Sequence, residues 1–120
     1  MRLWHEKLIS KLPRQQLLGQ HRECCALRGG GWGKKHQTVD YVFTHSPYKL
    51  FQFHEKVMHE MQRRGYQPNE LWLDPLYRGT KVPPYDSLQS VKLTSPIYPE
   101  HDDVYLNECI ENLASKGIEI

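Results

Sequence analysis

No apolar run in the chain approaches the roughly 18 residues of a membrane span, and mean hydropathy is −0.71. The sequence therefore predicts a protein that does not cross a membrane. The opening MRLWHEKLIS lacks an apolar h-region and a small-residue cleavage site, which argues against a secretory signal and predicts a cytoplasmic location. Cysteine is scarce. Three thiols, Cys24, Cys25 and Cys109, make no disulfide framework, and neighbours in a helical pattern point about 100° apart; they read as reduced and buried. No cysteine–histidine set has zinc spacing, His54 and His59 stand off one helical face, and HEKVMH is not HExxH, so no metal is expected. There is no GxSxG element. The segment RGGGWGKKH fails the Walker pattern at both ends, with Arg28 and Lys35 in the wrong places.

What the chain does have is 120 residues, 38% hydrophobic and 25% charged. That fits one globular domain over residues 1–120, without repeats or low-complexity tracts. Net charge is only +2, but residues 1–40 hold eight of the sixteen Lys and Arg against three of the fourteen acids. The first third is thus a basic region suited to phosphates.

Three helical patterns stand out. The first runs from about Pro13 to Arg28, with an apolar stripe of Leu17, Leu18, Cys24 and Cys25 around His21 and a stop at the following glycines. The second opens with Ser46 as cap and Pro47 in first position and closes at RRG, residues 63–65. Its stripe contains Leu50, Phe51, Val57, Met58 and Met61, with His54 inside. The third begins near YPEHDD, where Glu100, Asp102 and Asp103 crowd the first turn, and ends at SKG, residues 115–117. Five prolines between the second and third patterns argue against regular structure there, and Trp72, Leu73, Leu76 and Tyr77 are expected to pin that segment to the helices. VDYVF at 39–43 suits a short strand or, in preference, an extended connection. The expected architecture is all-α, a compact single domain of three main helices with a long, ordered, proline-rich loop between the second and third.

One acid stands out in the basic third. With Leu17 at 0° on a wheel of about 100° per residue, the apolar stripe centres near 40° and Glu23 falls near 240°. It is flanked by small Gly19 and Ala26 and by the amides of Gln16 and Gln20, with Arg22 near 140°. Small neighbours admit a bulky ligand, while amides and guanidinium bond phosphates or base edges. The loop after the helix, with Lys34, Lys35 and His36, suits a nucleic-acid backbone, and its Trp32 could stack or wedge.

The residues MRLWH, LPRQQLLGQHRE, GKKHQTVDYVFTHSPYKL and RRGY, and more weakly YPEHDDVYLNECIENL, give the chain a resemblance to the pyrimidine-dimer DNA glycosylase/AP lyase family of the phage endonuclease V type, in particular its bacterial branch. The resemblance covers nearly the whole chain and is most specific over the first 28 residues. It implies an all-α fold, double-stranded damaged DNA as partner, a monomer, and no metal or organic cofactor. It also implies a DNA-repair reaction in which the chain's α-amino group forms a Schiff base with the damaged nucleotide's sugar and β-elimination cuts the strand.

By that resemblance Met1 supplies the nucleophile, Glu23 assists proton transfer and stabilises the cationic sugar, and Arg22 clamps the sugar-phosphate. Arg2, Gln15, Gln16, His21, Arg28, Lys34, Lys35 and His36 are the expected DNA contacts. The chain departs from the phage-type pattern in having Arg2 second, Ala26 where a basic residue follows the Arg-Glu pair by three (Arg28 being the substitute), Gln16 in place of a histidine, and an end at ASKGIEI without the aromatic tail. The competing reading is a non-catalytic nucleic-acid-binding module on the same fold.

Overall fold

The computed structural model describes residues 2–29 and 39–120. Three α-helices form its frame, α1 (Arg14–Arg28), α2 (Pro47–Arg63) and α3 (Asp103–Ser115), and no strand occurs among the described residues. The all-α expectation is met. None of these helices is long and apolar enough to cross a membrane.

The helix boundaries follow local chemistry. Pro13 is the cap of α1 rather than its first helical residue, and its carbonyl accepts the first helical bond, from Leu17 N–H at 3.0 Å. Ser46 Oγ accepts the Tyr48 N–H at 3.1 Å and Pro47 opens α2, where its missing N–H costs nothing. Asp102 caps α3 by accepting the Tyr105 N–H at 2.8 Å. Glu100, expected in that first turn, lies before it and pairs with His45 at 2.9 Å. The two cation–glycine stops end their helices in the same way. Gly65 and Gly117 take φ of 87° and 80°, and the next residues, Tyr66 and Ile118, donate back to Met61 and Leu113 carbonyls at 2.8 and 3.0 Å. This is the Schellman arrangement, which needs a left-handed residue that glycine adopts without strain.

VDYVF is not extended. Asp40–Thr44 form a 3-10 turn, and Val39 and Val42, both fully buried, stand three apart, the spacing that stacks side chains on one edge of a 3-10 helix. A second such turn, Glu6–Lys11, precedes α1. It drives Leu8 and Ile9 inward, and with Leu3 and Trp4 all four are at most 7% exposed. Burial of each such side chain stabilises by about 1.5–3 kcal/mol, so the N-terminal segment is part of the core. The helices pack around that core, α1 against α2, with Cys109 and Leu113 contributed by α3.

The long connection between α2 and α3 is held by side chains that satisfy its backbone. Gln52 Nε2 donates to the Val91 carbonyl at 2.9 Å and Lys49 Nζ to the Ile97 carbonyl at 2.8 Å. The Ile97 N–H donates to Glu6 Oε2 at 2.6 Å. Ile97 and Tyr98 are fully buried. The connection itself contains one more 3-10 turn, Glu70–Leu73.

Candidate active site

Glu23 sits on the face of α1 turned away from the apolar stripe, as the wheel places it, but that face is not bare. Residues 2–4 lie across it, pulled in by Leu3 and Trp4, and leave Glu23 half-buried. The Arg2 backbone N–H donates to Glu23 Oε2 at 3.4 Å, and Gln20 Nε2 donates to the same oxygen at 3.1 Å. Among the described residues nothing engages Oε1.

Burial raises the Glu23 carboxyl above the ordinary glutamate value, and the Arg2 N–H and the Gln20 amide pull it back only in part. A half-buried carboxylate with one oxygen unengaged among the described residues and an upward-shifted proton affinity can both exchange protons and face a developing positive charge.

Gln20 is the residue that sequence reasoning placed on the outside and the structure places inside. It is 1% exposed. Its Oε1 accepts the Trp4 N–H at 2.6 Å, while Nε2 donates to the Arg2 carbonyl at 3.0 Å besides Glu23. The Tyr105 hydroxyl of α3 donates to the Leu3 carbonyl, and Lys116 lies over the Trp4 ring at 5.7 Å, with its charge felt at Glu23. The only sequence signal for Gln20 is its position three before Glu23, one helical turn away. Tyr105 and Lys116 carry no local signal, because they arrive from the far end of the chain.

The other expected site residues separate into groups. Arg22 is exposed, and its guanidinium crosses Gly19, 3.7 Å from where a Cβ there would stand. No hydrogen bond or ion pair holds it among the described residues. Gln15 is exposed and Gln16 half-exposed, on the turn of α1 before Gly19. Met1, Trp32, Lys34, Lys35 and His36 lie outside the described residues.

Arg2 reaches the site with its backbone rather than its side chain. The guanidinium turns to α3, 3.3 Å from Glu108 and 5.6 and 5.8 Å from the Tyr105 and Trp4 rings. The Arg2 side chain is thus engaged by α3.

Arg28 and His21 turn inward. Arg28 is 5% exposed and donates to the carbonyls of Trp72, Asp74 and Tyr77 at 2.7, 2.8 and 3.1 Å, and to His54 Nδ1 at 2.9 Å. Its guanidinium is consumed in tying the loop to α1, with the Phe51 and Trp72 rings at 5.3 and 5.0 Å. His21 turns to α2 and meets His54 Nε2 at 2.8 Å through Nδ1.

One set of metal-capable donors does assemble. His21, Cys25 and His54 bring two nitrogens and a sulfur within 4.8 Å of one another. The sequence held half the signal, since His21 and Cys25 are four apart on one helix, but the third donor comes from α2.

The hydrogen bonding opposes a cation. Arg28 donates to His54 Nδ1, so in the neutral ring the proton sits on Nε2 and points at His21 Nδ1. A ligating histidine needs that nitrogen bare and its other N–H facing an acceptor, whereas here the second nitrogen faces a guanidinium. Burial also raises the Cys25 thiol to about 11, away from the thiolate that binds metal. The set is a self-consistent network of neutral rings beside one arginine.

The arrangement as a whole is an all-α frame with a half-buried carboxylate on a helix face beneath residues 2–4. Residues 1–74 match the family model described as pyrimidine dimer DNA glycosylase, and the chain belongs to that family. Membership makes DNA repair by glycosylase action the class of activity and DNA the class of substrate. The match takes in α1, α2 and the N-terminal segment, while α3, with Tyr105 and Lys116, lies beyond it. No curated protein and no solved structure matches the chain.

Proposed function

We propose that the protein is a DNA glycosylase with AP lyase activity toward pyrimidine-dimer and abasic sites, and that the α-amino group of Met1 is its nucleophile. The observation that carries this reading is the Arg2 backbone nitrogen held 3.4 Å from the Glu23 carboxylate. Covalent geometry alone keeps the nitrogen of a preceding residue within roughly 4 Å of that atom, whatever its torsion. An α-amine has a pKa of about 7.7–8.0, against about 10.4 for lysine, so a useful fraction is neutral and nucleophilic near neutral pH.

In this reading the amine attacks C1′ and the glycosidic bond breaks, the electron pair leaving with the base, which takes up a proton. The sugar ring opens as a proton passes from the nitrogen to O4′, giving a protonated imine. Loss of a C2′ proton then expels the 3′ phosphate. Glu23 moves protons and faces the cationic sugar, the usual arrangement of a carboxylate at a glycosidic centre. Arg22, exposed and without a partner among the described residues, clamps the sugar-phosphate, and Gln15 and Gln16 on the same helix bond the backbone beside it. Lys34, Lys35 and His36 extend the contact along the strand.

Borohydride reduction in the presence of duplex DNA with one abasic site tests the reading. The expected product is a covalent protein–DNA adduct that maps by peptide mass to the chain's first residue and disappears when the amine is acetylated. No adduct with abasic or photodimer DNA, with salt-sensitive binding retained, leaves the non-catalytic binding module as the better description. An adduct on a lysine removes the α-amine from its role.

A further inference from the structure

We infer that Gln20 is a positioning residue of this site, one carboxamide that holds the N-terminal segment and the Glu23 carboxylate in fixed relation to each other. The inference rests on the catalytic reading given above and adds the part that sets its geometry. Gln20 accepts the N–H of residue 4 and donates to the carbonyl of residue 2, at 2.6 and 3.0 Å. That is the pair of bonds a neighbouring parallel strand would make around residue 3. The segment thus gains a strand-like partner although no strand occurs among the described residues. The second Nε2 hydrogen goes to Glu23 Oε2 at 3.1 Å, the oxygen that also receives the Arg2 N–H. Side chain, carboxylate and backbone close one hydrogen-bonded ring.

The ring admits only this side chain. Turned over, the amide would set an N–H against the Trp4 N–H and its oxygen against both the Arg2 carbonyl and the Glu23 carboxylate, so its orientation is fixed by three partners. Glutamate would repel Glu23 and the carbonyl together. Asparagine falls one methylene short. Methionine, close in volume, would leave a buried N–H and a buried carbonyl without partners. At 1% exposure Gln20 cannot touch DNA, so it acts through Glu23 and the backbone. Positioning of this kind carries large rate factors, since a misplacement of about 1 Å at a reacting group costs on the order of a hundredfold.

The test is Gln20→Met, with two readouts in parallel. The first is the Glu23 carboxyl titration, followed by carbon NMR without DNA. The second is the pH profile of borohydride trapping with abasic duplex DNA. Loss of the Nε2–H donor should move the Glu23 titration and the acidic limb of trapping to higher pH together, with the trapping rate down on the order of tenfold or more.

A purely structural role predicts a lower unfolding midpoint with an unmoved Glu23 titration and an unmoved limb, and that result overturns the inference. Should Gln20→Met not fold, the wild-type protein still decides. Both Gln20 side-chain amide protons should shift as Glu23 ionises and stop shifting in Glu23→Gln, and amide protons that ignore the titration overturn the inference. If wild-type protein traps no abasic DNA, the catalytic reading falls and this inference with it. That is distinct from the inference failing alone, where wild type and Gln20→Met trap with the same pH profile.

Discussion

The two faces of α1 each bury polar groups, and they spend them differently. On the face toward α2 and the loop, Arg28 gives four hydrogen bonds to three carbonyls and a histidine, and His21 and His54 complete each other. On the face under the N-terminal segment, the two donors that reach Glu23 among the described residues share one oxygen, and Arg22 beside it is exposed. A charge whose bonding capacity is used up by protein is a fastener. A half-buried charge with capacity left over, held by a saturated neighbour such as Gln20, is available for chemistry. Type of residue does not make the distinction, since both faces present arginine. What separates Arg22 from Arg28 is the set of acceptors that the rest of the fold brings to each.

The sharpest way to break this comparison is to mutate both faces. Glu23→Gln should lower strand cleavage by about a thousandfold, in line with loss of a principal electrostatic group, while duplex binding is kept. The fold should tolerate it, because burial penalises the Glu23 charge. Single-turnover cleavage and a binding titration measure the pair of effects, and cleavage at the wild-type rate removes Glu23 from the mechanism.

Arg28→Met should do the reverse. It leaves three loop carbonyls without their donor and costs about 3 kcal/mol or more of stability in urea unfolding. Trapping per folded molecule should change less than twofold. A large loss of DNA affinity at unchanged stability would return Arg28 to the interface.

This division explains what was legible in the sequence. Ser46, Pro47, Asp102 and the glycines of RRG and SKG act within a few residues of themselves, so helix ends could be read locally. Glu23 could be placed on the face opposite the apolar stripe because a wheel needs only its own helix. Whatever depends on a second segment could not be read this way. Gln20 looked like a solvent-facing amide until Leu3 and Trp4 folded over it. Arg28 looked like a free cation until acceptors 44 to 49 residues further on met it. VDYVF has the composition of an extended segment, and only the joint burial of Val39 and Val42 turns it into a 3-10 turn.

The buried histidines and Glu23 also differ in sign with pH, and this gives the smallest of the expected effects. His101, 2% exposed, accepts the Glu6 N–H on Nδ1 at 3.2 Å and meets the Tyr41 hydroxyl through Nε2 at 2.7 Å. Burial, with a lesser push from the charge of His5, takes it down to about 3. His54 and His21 are depressed in the same direction, by burial first and by arginine charge second.

A depressed histidine binds its proton more readily unfolded than folded. The stability it confers is therefore complete above about 6.5 and drains away as pH falls toward its folded value, at up to about 1.4 kcal/mol per pH unit for each group. Glu23, shifted upward, binds its proton more readily when folded, so its contribution is present at low pH and lost as pH rises through its folded value. Urea midpoints should thus fall between pH 6.5 and 4 along a slope set by the histidines, with Glu23 opposing it. His101→Phe, which keeps a ring against His5 and Tyr105, should flatten that slope by up to one proton while lowering the neutral-pH midpoint. An unchanged slope would mean that His101 takes up its proton as readily in the folded protein as in the unfolded chain, or that the fold opens around it to admit the proton. In either case the acid limb would belong to the cluster at Arg28 alone.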